Sequence, residues 1–408
     1  MFGIGKTALK MCQTAKYANI GANAVEIRPL PVHSYAHPRA LPFQLSRSCS
    51  QQVNLVMINA PETFFVKEEI PDILWSNKYN IGYWEWELDV FPKEWMSYLQ
   101  YYDEIWVPSK FIADSIIHSQ GYDGMTPVRV LPLPLTIEST SKKKQIVRVG
   151  SDPNKTVGTL QILLEKIKDA FVFLIIFDFQ SHMQRKNPQA SIRAFLDAFP
   201  SYSDEKQRYH LIVKSHHGSS SDISHVKAMA KNDPRVHFLS DVLSDDDHKA
   251  LQDRADCYIS LHRSEGYGMN LLEEMGHGVP VIATNYSGNV DFFPPLQKYI
   301  GSCIFPIPYQ FVSITVSSGP YKKGNRWADA DHEKAVQAMQ EVVKNNCKQK
   351  YGEEISQTVI SNFGMKAVGE KIKALLHDSW EKIREKEKKG IFAFEAEEKR
   401  IRNSYDKS

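Results

Sequence analysis

The sequence predicts an α/β protein made of two doubly wound, Rossmann-like domains. Three observations carry this. Its 408 residues are too many for one ordinary domain and suit two. Apolar runs of strand length alternate with amphipathic, helix-length segments, the pattern of a mainly parallel sheet covered by helices. The series fades after Thr136 and restarts at a second buried run, Phe171–Phe177.

Taken in order, Val53–Ile58, Ile81–Trp84 and Glu104–Val107 read as strands. Ser109 then caps a helix that runs to Ser119, with Phe111, Ile112 and Ile116 on one face. Val128–Leu131 is a strand closed by Pro132 and Pro134. Ser139–Lys144 is rich in Ser and Lys and reads as linker, followed by a helix over Leu160–Ile167. The second series has strands at Phe171–Phe177, His210–Lys214, Val236–Leu239, Cys257–Leu261 and Val279–Thr284. Its helices are Asn187–Phe199, Ile223–Lys231 capped by Asp222, Asp245–Arg254 capped by Ser244, and one from about Met269 to Met275. The boundaries are 1–138 for the first domain, 139–168 for the linker, 169–365 for the second domain and 366–408 for a C-terminal helix with a charged tail.

The front departs from this plan. A doubly wound domain opens on a buried strand followed by a Gly-rich turn. Here Gly3 and Gly5 come first, and Thr7–Ala18 reads as the first helix. The first, central strand is therefore expected to be missing, with an open slot or a substitute strand beside Val53–Ile58.

Composition narrows the function. With 50 Lys+Arg against 48 Asp+Glu the chain has a formal charge of +2, which gives no reason to expect a nucleic-acid partner. The longest apolar run, Ala170–Phe177, is far short of the about 20 residues a membrane helix needs. The five cysteines, Cys12, Cys49, Cys257, Cys303 and Cys347, are scattered and form no CxxC pair, so reduced thiols in a cytoplasmic protein are expected.

The chemistry concentrates in His262-Arg263-Ser264-Glu265-Gly266-Tyr267-Gly268-Met269-Asn270-Leu271-Leu272-Glu273, between a buried strand and a helix. Ligands of open α/β sheets bind at the carboxyl ends of strands, where this loop must lie. Its glycines allow close backbone approach, and the helix behind it offers N–H groups and a positive dipole end to a phosphate. Glu265 lies in the loop and Glu273 about one turn inside the helix. Arg185 and Lys186 open a helix after another strand, placed to clamp a diphosphate. Lys214, at a third strand end, is a weaker candidate.

The whole string resembles the E-x7-E signature of retaining glycosyltransferases with the GT-B architecture, family 4 (group 1). Gly278–Thr284 also fits that family, and Arg185-Lys186-Asn187-Pro188 and Tyr286-Ser287-Gly288-Asn289 fit a bacterial-like subgroup of it. So do Ile81–Glu87, Asp103–Ser109, and Gly319-Pro320-Tyr321 with Gly324, Trp327 and Ala328. The resemblance covers roughly residues 3 to 380. Where many members carry an arginine this chain has Ser181, so Arg185 and Lys186 must supply the positive charge there.

The resemblance implies two Rossmann-like domains facing a cleft and a nucleotide-diphosphate sugar as donor substrate, with no cofactor. Glu273 would hold the ribose hydroxyls and Glu265 would stand beside the donor sugar, with Arg185 and Lys186 completing the catalytic set. Gly266, Tyr267, Gly268, Met269, Asn270, Lys214 and the backbone near Val242 would complete the donor site. The acceptor, a glycan or lipid-linked molecule, would lie against the first domain near Gly3, Gly5, Tyr83, Trp84 and Glu87; the rings of Tyr83, Trp84 and Trp86 either stack on sugar faces or simply pack the core. Peripheral membrane association is compatible with such an acceptor. Asp245-x-Asp247 and Asp329-x-Asp331 fit a metal-binding pattern, but both sit where a helix starts, so a metal-independent enzyme is expected. The alternatives are a truncated chain that only binds sugar nucleotide or a partner, and an epimerase or phosphorylase of the same architecture.

Overall fold

The computed structural model describes residues 3–22, 51–69, 75–76, 78–137, 159–200 and 208–388. The chain divides into two compact units, one of residues 1–136 with 363–408, the other of residues 137–362.

The first unit begins with helix α1 (Gly3–Tyr17), then β1 (Val53–Met57), α2 (Thr63–Glu69), β2 (Tyr79–Tyr83), β3 (Glu104–Val107), α3 (Lys110–His118) and β4 (Val128–Val130). Its four strands are parallel and lie in chain order. Ser109 caps α3 as expected, its hydroxyl accepting from the Ile112 N–H. Since α1 opens at Gly3, Gly3 and Gly5 lie in its first turn, so the Gly-rich turn expected there is helix. On its outer edge β1 has no strand partner among the described residues. Residues 23–50 lie outside them, as do Ser139–Lys144 and the tail from 389.

The second unit holds α4 (Thr159–Lys166), β5 (Phe171–Asp178), α5 (Met183–Lys186), α6 (Pro188–Ala198), β6 (Tyr209–His216), α7 (Ser220–Met229), β7 (Val236–Leu239), α8 (Asp245–Arg254), β8 (Cys257–Ser260), α9 (Met269–Gly276), β9 (Val281–Thr284) and β10 (Ile304–Ile307). An antiparallel hairpin of β11 (Tyr309–Ser313) and β12 (Arg326–Ala330) follows, then α10 (His332–Asn345) and α11 (Cys347–Phe363). The six-stranded sheet is parallel, ordered β10-β9-β8-β5-β6-β7. The chain winds one way from central β5 and then, from β8, the other way. The β5/β8 boundary is therefore the topological switch point, where doubly wound sheets bind ligands. β5 is apolar along its length because both its faces are covered. On one face Phe173, Leu211 and Val213 pack with Phe195 and Phe199 from α6 and its end, and with Met339 of α10.

The next helix, α12 (Met365–Asp378), belongs to the first unit, and residues 380–388 are helical after it. A Cβ at Gly369 would stand 2.7 Å from that of Ala18, so glycine lets α12 approach the end of α1 closely. Beyond it, the Ser379 hydroxyl donates to Glu104, fully buried in β3, which also accepts from the Tyr79 hydroxyl and the Trp106 indole.

Two expectations are corrected here. The N-cap of α7 is Ser219, not Asp222; Asp222 is its partner in a capping box. Cys303 and Cys347 are disulfide-bonded, their Cα atoms 5.5 Å apart, although 44 positions separate them in sequence. Folding brings the residue before β10 against the first residue of α11, a juxtaposition no local spacing reveals. Among the described residues Cys12 and Cys257 are free thiols.

Candidate active site

The loop after β8 and the turn after β5 meet at the switch point. Arg185 and Lys186 do not open a helix as expected; they close the four-residue turn α5. Asn187, left-handed at φ 51°, breaks the chain there, and α6 starts at Pro188. The cations thus sit at a helical C-terminal end, where the dipole favours them. Arg185 is buried. Its Nη1 donates to the Ser264 carbonyl at 2.8 Å and to Glu265 Oε2 at 3.3 Å, and its Nη2 donates to the Ser181 carbonyl at 3.0 Å. Lys186 Nζ donates to Glu265 Oε1 at 2.6 Å. Burial pushes the Glu265 carboxyl up, but Lys186 and then Arg185 outweigh it and hold it down to about 2. Glu265 is therefore an anion throughout the neutral range, and the trio carries one net positive charge.

Two neighbours shape the Glu265 loop. The Glu265 N–H donates to Ser287 Oγ at 2.8 Å, and its carbonyl accepts from the Gly288 N–H at 2.9 Å. A Cβ at Gly288 would stand 1.9 Å from the Gly266 carbonyl oxygen, so only glycine fits. Ser287 itself has φ 74° and ψ −155°, a region that costs a non-glycine residue about 1–3 kcal/mol. His262, fully buried, hydrogen-bonds Asn289 Oδ1 at 3.0 Å and Ser260 Oγ at 2.9 Å, so it ties this loop to the strand instead of facing a ligand.

Gly268, at φ 93°, is the N-cap of α9, whose first N–H groups have no intrahelical acceptor. Asn270 Nδ2 reaches back to the Ile176 carbonyl on β5 at 3.2 Å, fixing α9 beside the switch point. Tyr267 packs edge-on against Phe292, Met269 is the first residue of α9, and Glu273 is half-buried on the same helix. Lys214 is fully buried near the carboxyl end of β6 and donates to the Ser215 carbonyl; burial pulls its pKa down. Val242 follows β7 in a loop and is 91% exposed, leaving its side chain in solvent.

In each Asp-x-Asp pair at least one carboxylate has structural work. Asp247 exchanges hydrogen bonds with the α8 cap Ser244. Asp331 caps α10, while Asp329, on β12 and not at a helix start, pairs with Arg263 at 2.9 Å.

The acceptor-side residues are placed in the first unit. Tyr83 is buried and its hydroxyl donates to the Leu131 carbonyl at 2.7 Å. Trp84 is fully buried, stacked on Phe91 and edge-on to Tyr102. Their ring faces are therefore spent on the core, the second of the two alternatives for these aromatics, and are not available for sugar stacking. Glu87 is half-buried, and Gly3 and Gly5 lie in α1.

Residues 179–295 match the glycosyl transferases group 1 family. That segment contains Arg185, Lys186, Glu265, α9 and Ser287, the whole of the cluster just described. No curated protein matches this sequence. Among solved structures, the N-terminal domain of Candida albicans trehalose-6-phosphate phosphatase is 14% identical with a TM-score of 0.51, over 76% of this chain and 67% of that one. Anabaena HepE in complex with UDP and glucose is 12% identical with a TM-score of 0.51, over 80% of this chain and 78% of that one. The same protein with UDP-glucose gives 12%, 0.51, 80% and 79%. At these identities the likeness is one of fold, and it agrees with the parallel-sheeted α/β units seen here.

Sequence reasoning missed Ser287 and the Arg263–Asp329 pair. Ser287 stood in a quoted motif without a role; its strained backbone and its bond to a residue 22 positions away leave no local signature.

Proposed function

We propose that this protein is a retaining, metal-independent glycosyltransferase that moves a sugar from a nucleotide-diphosphate donor to a glycan or lipid-linked acceptor. The observation that carries the reading is the ion cluster of Lys186, Arg185 and Glu265 at the β5/β8 switch point, inside the segment that matches group 1 glycosyl transferases.

Departure of a nucleoside diphosphate builds negative charge on the phosphates. Arg185 and Lys186 are preorganised cations that stabilise it, and the first N–H groups of α9 add a further positive end. Glu273, with two acceptor oxygens, takes the ribose hydroxyls. Glu265 is ionised and so donates no proton; it stabilises positive charge that develops on the sugar ring as the donor bond breaks. The acceptor attacks from the face the leaving group departs from, and a donor phosphate oxygen takes its proton. With Asp247 and Asp331 engaged in caps and Asp329 in an ion pair, the positive charge falls to the side chains. HepE's complexes make UDP and UDP-glucose the first probes.

A panel of UDP-, GDP-, ADP- and CDP-sugars, screened by thermal shift and then by donor hydrolysis, tests the reading. One nucleotide should raise the melting temperature and its sugar should be released or transferred. No shift and no turnover with any member would remove the donor assignment.

A further inference from the structure

The turn carrying Arg185 and Lys186 cannot hold its own shape. It has four residues, too few for a helix to persist alone, and non-glycine residues in positive-φ conformations bound it: His182 at φ 70° and Asn187 at φ 51°. Its conformation must come from outside. Asn187 Nδ2 donates to the Leu261 carbonyl at 3.0 Å, which secures one end. Besides the bonds of Arg185 and Lys186 to Ser264 and Glu265, further contacts come from the β11–β12 hairpin, whose Gly319, Tyr321, Gly324, Trp327 and Ala328 recur in the family resemblance without a role.

The hairpin reaches the turn in three ways. The Tyr321 ring lies 5.0 Å from the His182 ring, and the Trp327 ring 5.9 Å from it. The third contact runs through Arg263, which is bonded on both sides. Its N–H donates to the Arg185 carbonyl at 2.7 Å, and its Nη1 to the Gln184 carbonyl at 3.2 Å. Toward the hairpin, its carbonyl accepts from the Ala328 N–H at 2.9 Å and its Nε donates to Asp329 Oδ1 at 2.9 Å. Its guanidinium also lies 5.7 Å from the centre of the Trp327 ring. A planar fork with several donors suits such a strap better than a lysine would.

We propose that the β11–β12 hairpin, through Tyr321, Trp327 and Asp329 and with Arg263 as the strap, positions Arg185 and Lys186 for the diphosphate of the donor. This rests on the reading that those two cations take the diphosphate. Tyr321, Trp327, Asp329 and Arg263 are positioning residues: they act through the turn and touch no substrate.

The test uses the full chain with Asp329→Ala, Tyr321→Ala and the conservative Asp329→Glu. Hydrogen exchange is followed over residues 179–188, and calorimetry compares UDP, GDP and ADP with their parent nucleosides. In the two alanine variants, exchange over the turn should quicken. Affinity for the best-bound nucleoside diphosphate should fall by about tenfold or more, the worth of one charge-assisted bond, while that for its nucleoside stays unchanged. Asp329→Glu should recover most of the loss. Equal losses for nucleoside and nucleoside diphosphate, or variants indistinguishable from a wild-type chain that binds, would overturn the hairpin's role alone. A wild-type chain that binds none of the three nucleotides would overturn the donor reading and the diphosphate role with it.

Discussion

Lys186 donates to Glu265 across 2.6 Å, from the turn after the central strand of the second sheet to the loop after the strand beside it. The pair closes the switch point with opposite charges, Arg185 completing it from the buried side. Breaking such a pair from one side strands a charge out of water, which is far costlier than removing both partners together.

The first prediction is a pH dependence. The Glu265 carboxyl is depressed from 4.5 to about 2 in the folded state. Its contribution is thus fully present above the unfolded value of 4.5 and is lost as pH falls toward 2. Between pH 5 and 3 the stability advantage of wild type over Glu265→Gln should shrink by on the order of 2 kcal/mol. Urea unfolding at several pH values measures it; parallel pH curves for the two proteins would refute the pairing.

Glu274 should behave in the opposite sense. Burial in α9 raises its carboxyl to about 8, eased by the Gln252 side chain and worsened by neighbouring Glu273. Between 4.5 and about 8 the folded state holds a proton that the unfolded state has released, so stability falls as pH rises through that window. Glu274→Gln removes the titration. Its melting temperature relative to wild type should rise from pH 5 to pH 8, and a difference that stays constant would mean that Glu274 is ionised when buried.

Glu273→Ala should weaken donor binding by on the order of 1.5–3 kcal/mol, the cost of losing hydrogen bonds to a charged group. Calorimetry with the best nucleotide checks it, and unchanged affinity would move the ribose site elsewhere.

Turnover should survive excess EDTA, because Arg185 and Lys186 supply the positive charge that a metal would otherwise bring. Activity abolished by EDTA and restored by Mg²⁺ or Mn²⁺ would overturn that part of the mechanism.

Trp84→Ala should cost the first unit about 3–5 kcal/mol, as expected for a buried tryptophan. Denaturant unfolding measures it; a loss under about 1 kcal/mol would mean that the ring is not part of the core.

What the sequence determined by itself was local. Ser109 and Ser244 announce the helices they cap, since a cap needs only neighbours three residues away. The apolar run of β5 announces a strand covered on both faces, and the string from Glu265 to Glu273 announces a loop entering a helix. What the tertiary structure alone decided involves residues far apart in the chain. The 44 positions between Cys303 and Cys347, the burial of Trp84 among Phe91 and Tyr102, and the meeting of Lys186 with Glu265 are of this kind. So are the left-handed Asn187 that ends α5 and the strained Ser287 behind Glu265. Their conformations are imposed by contacts across the sheet. Sequence neighbours set backbone preference within about one helical turn, whereas the order of strands in the sheet decides which loops meet at its carboxyl edge.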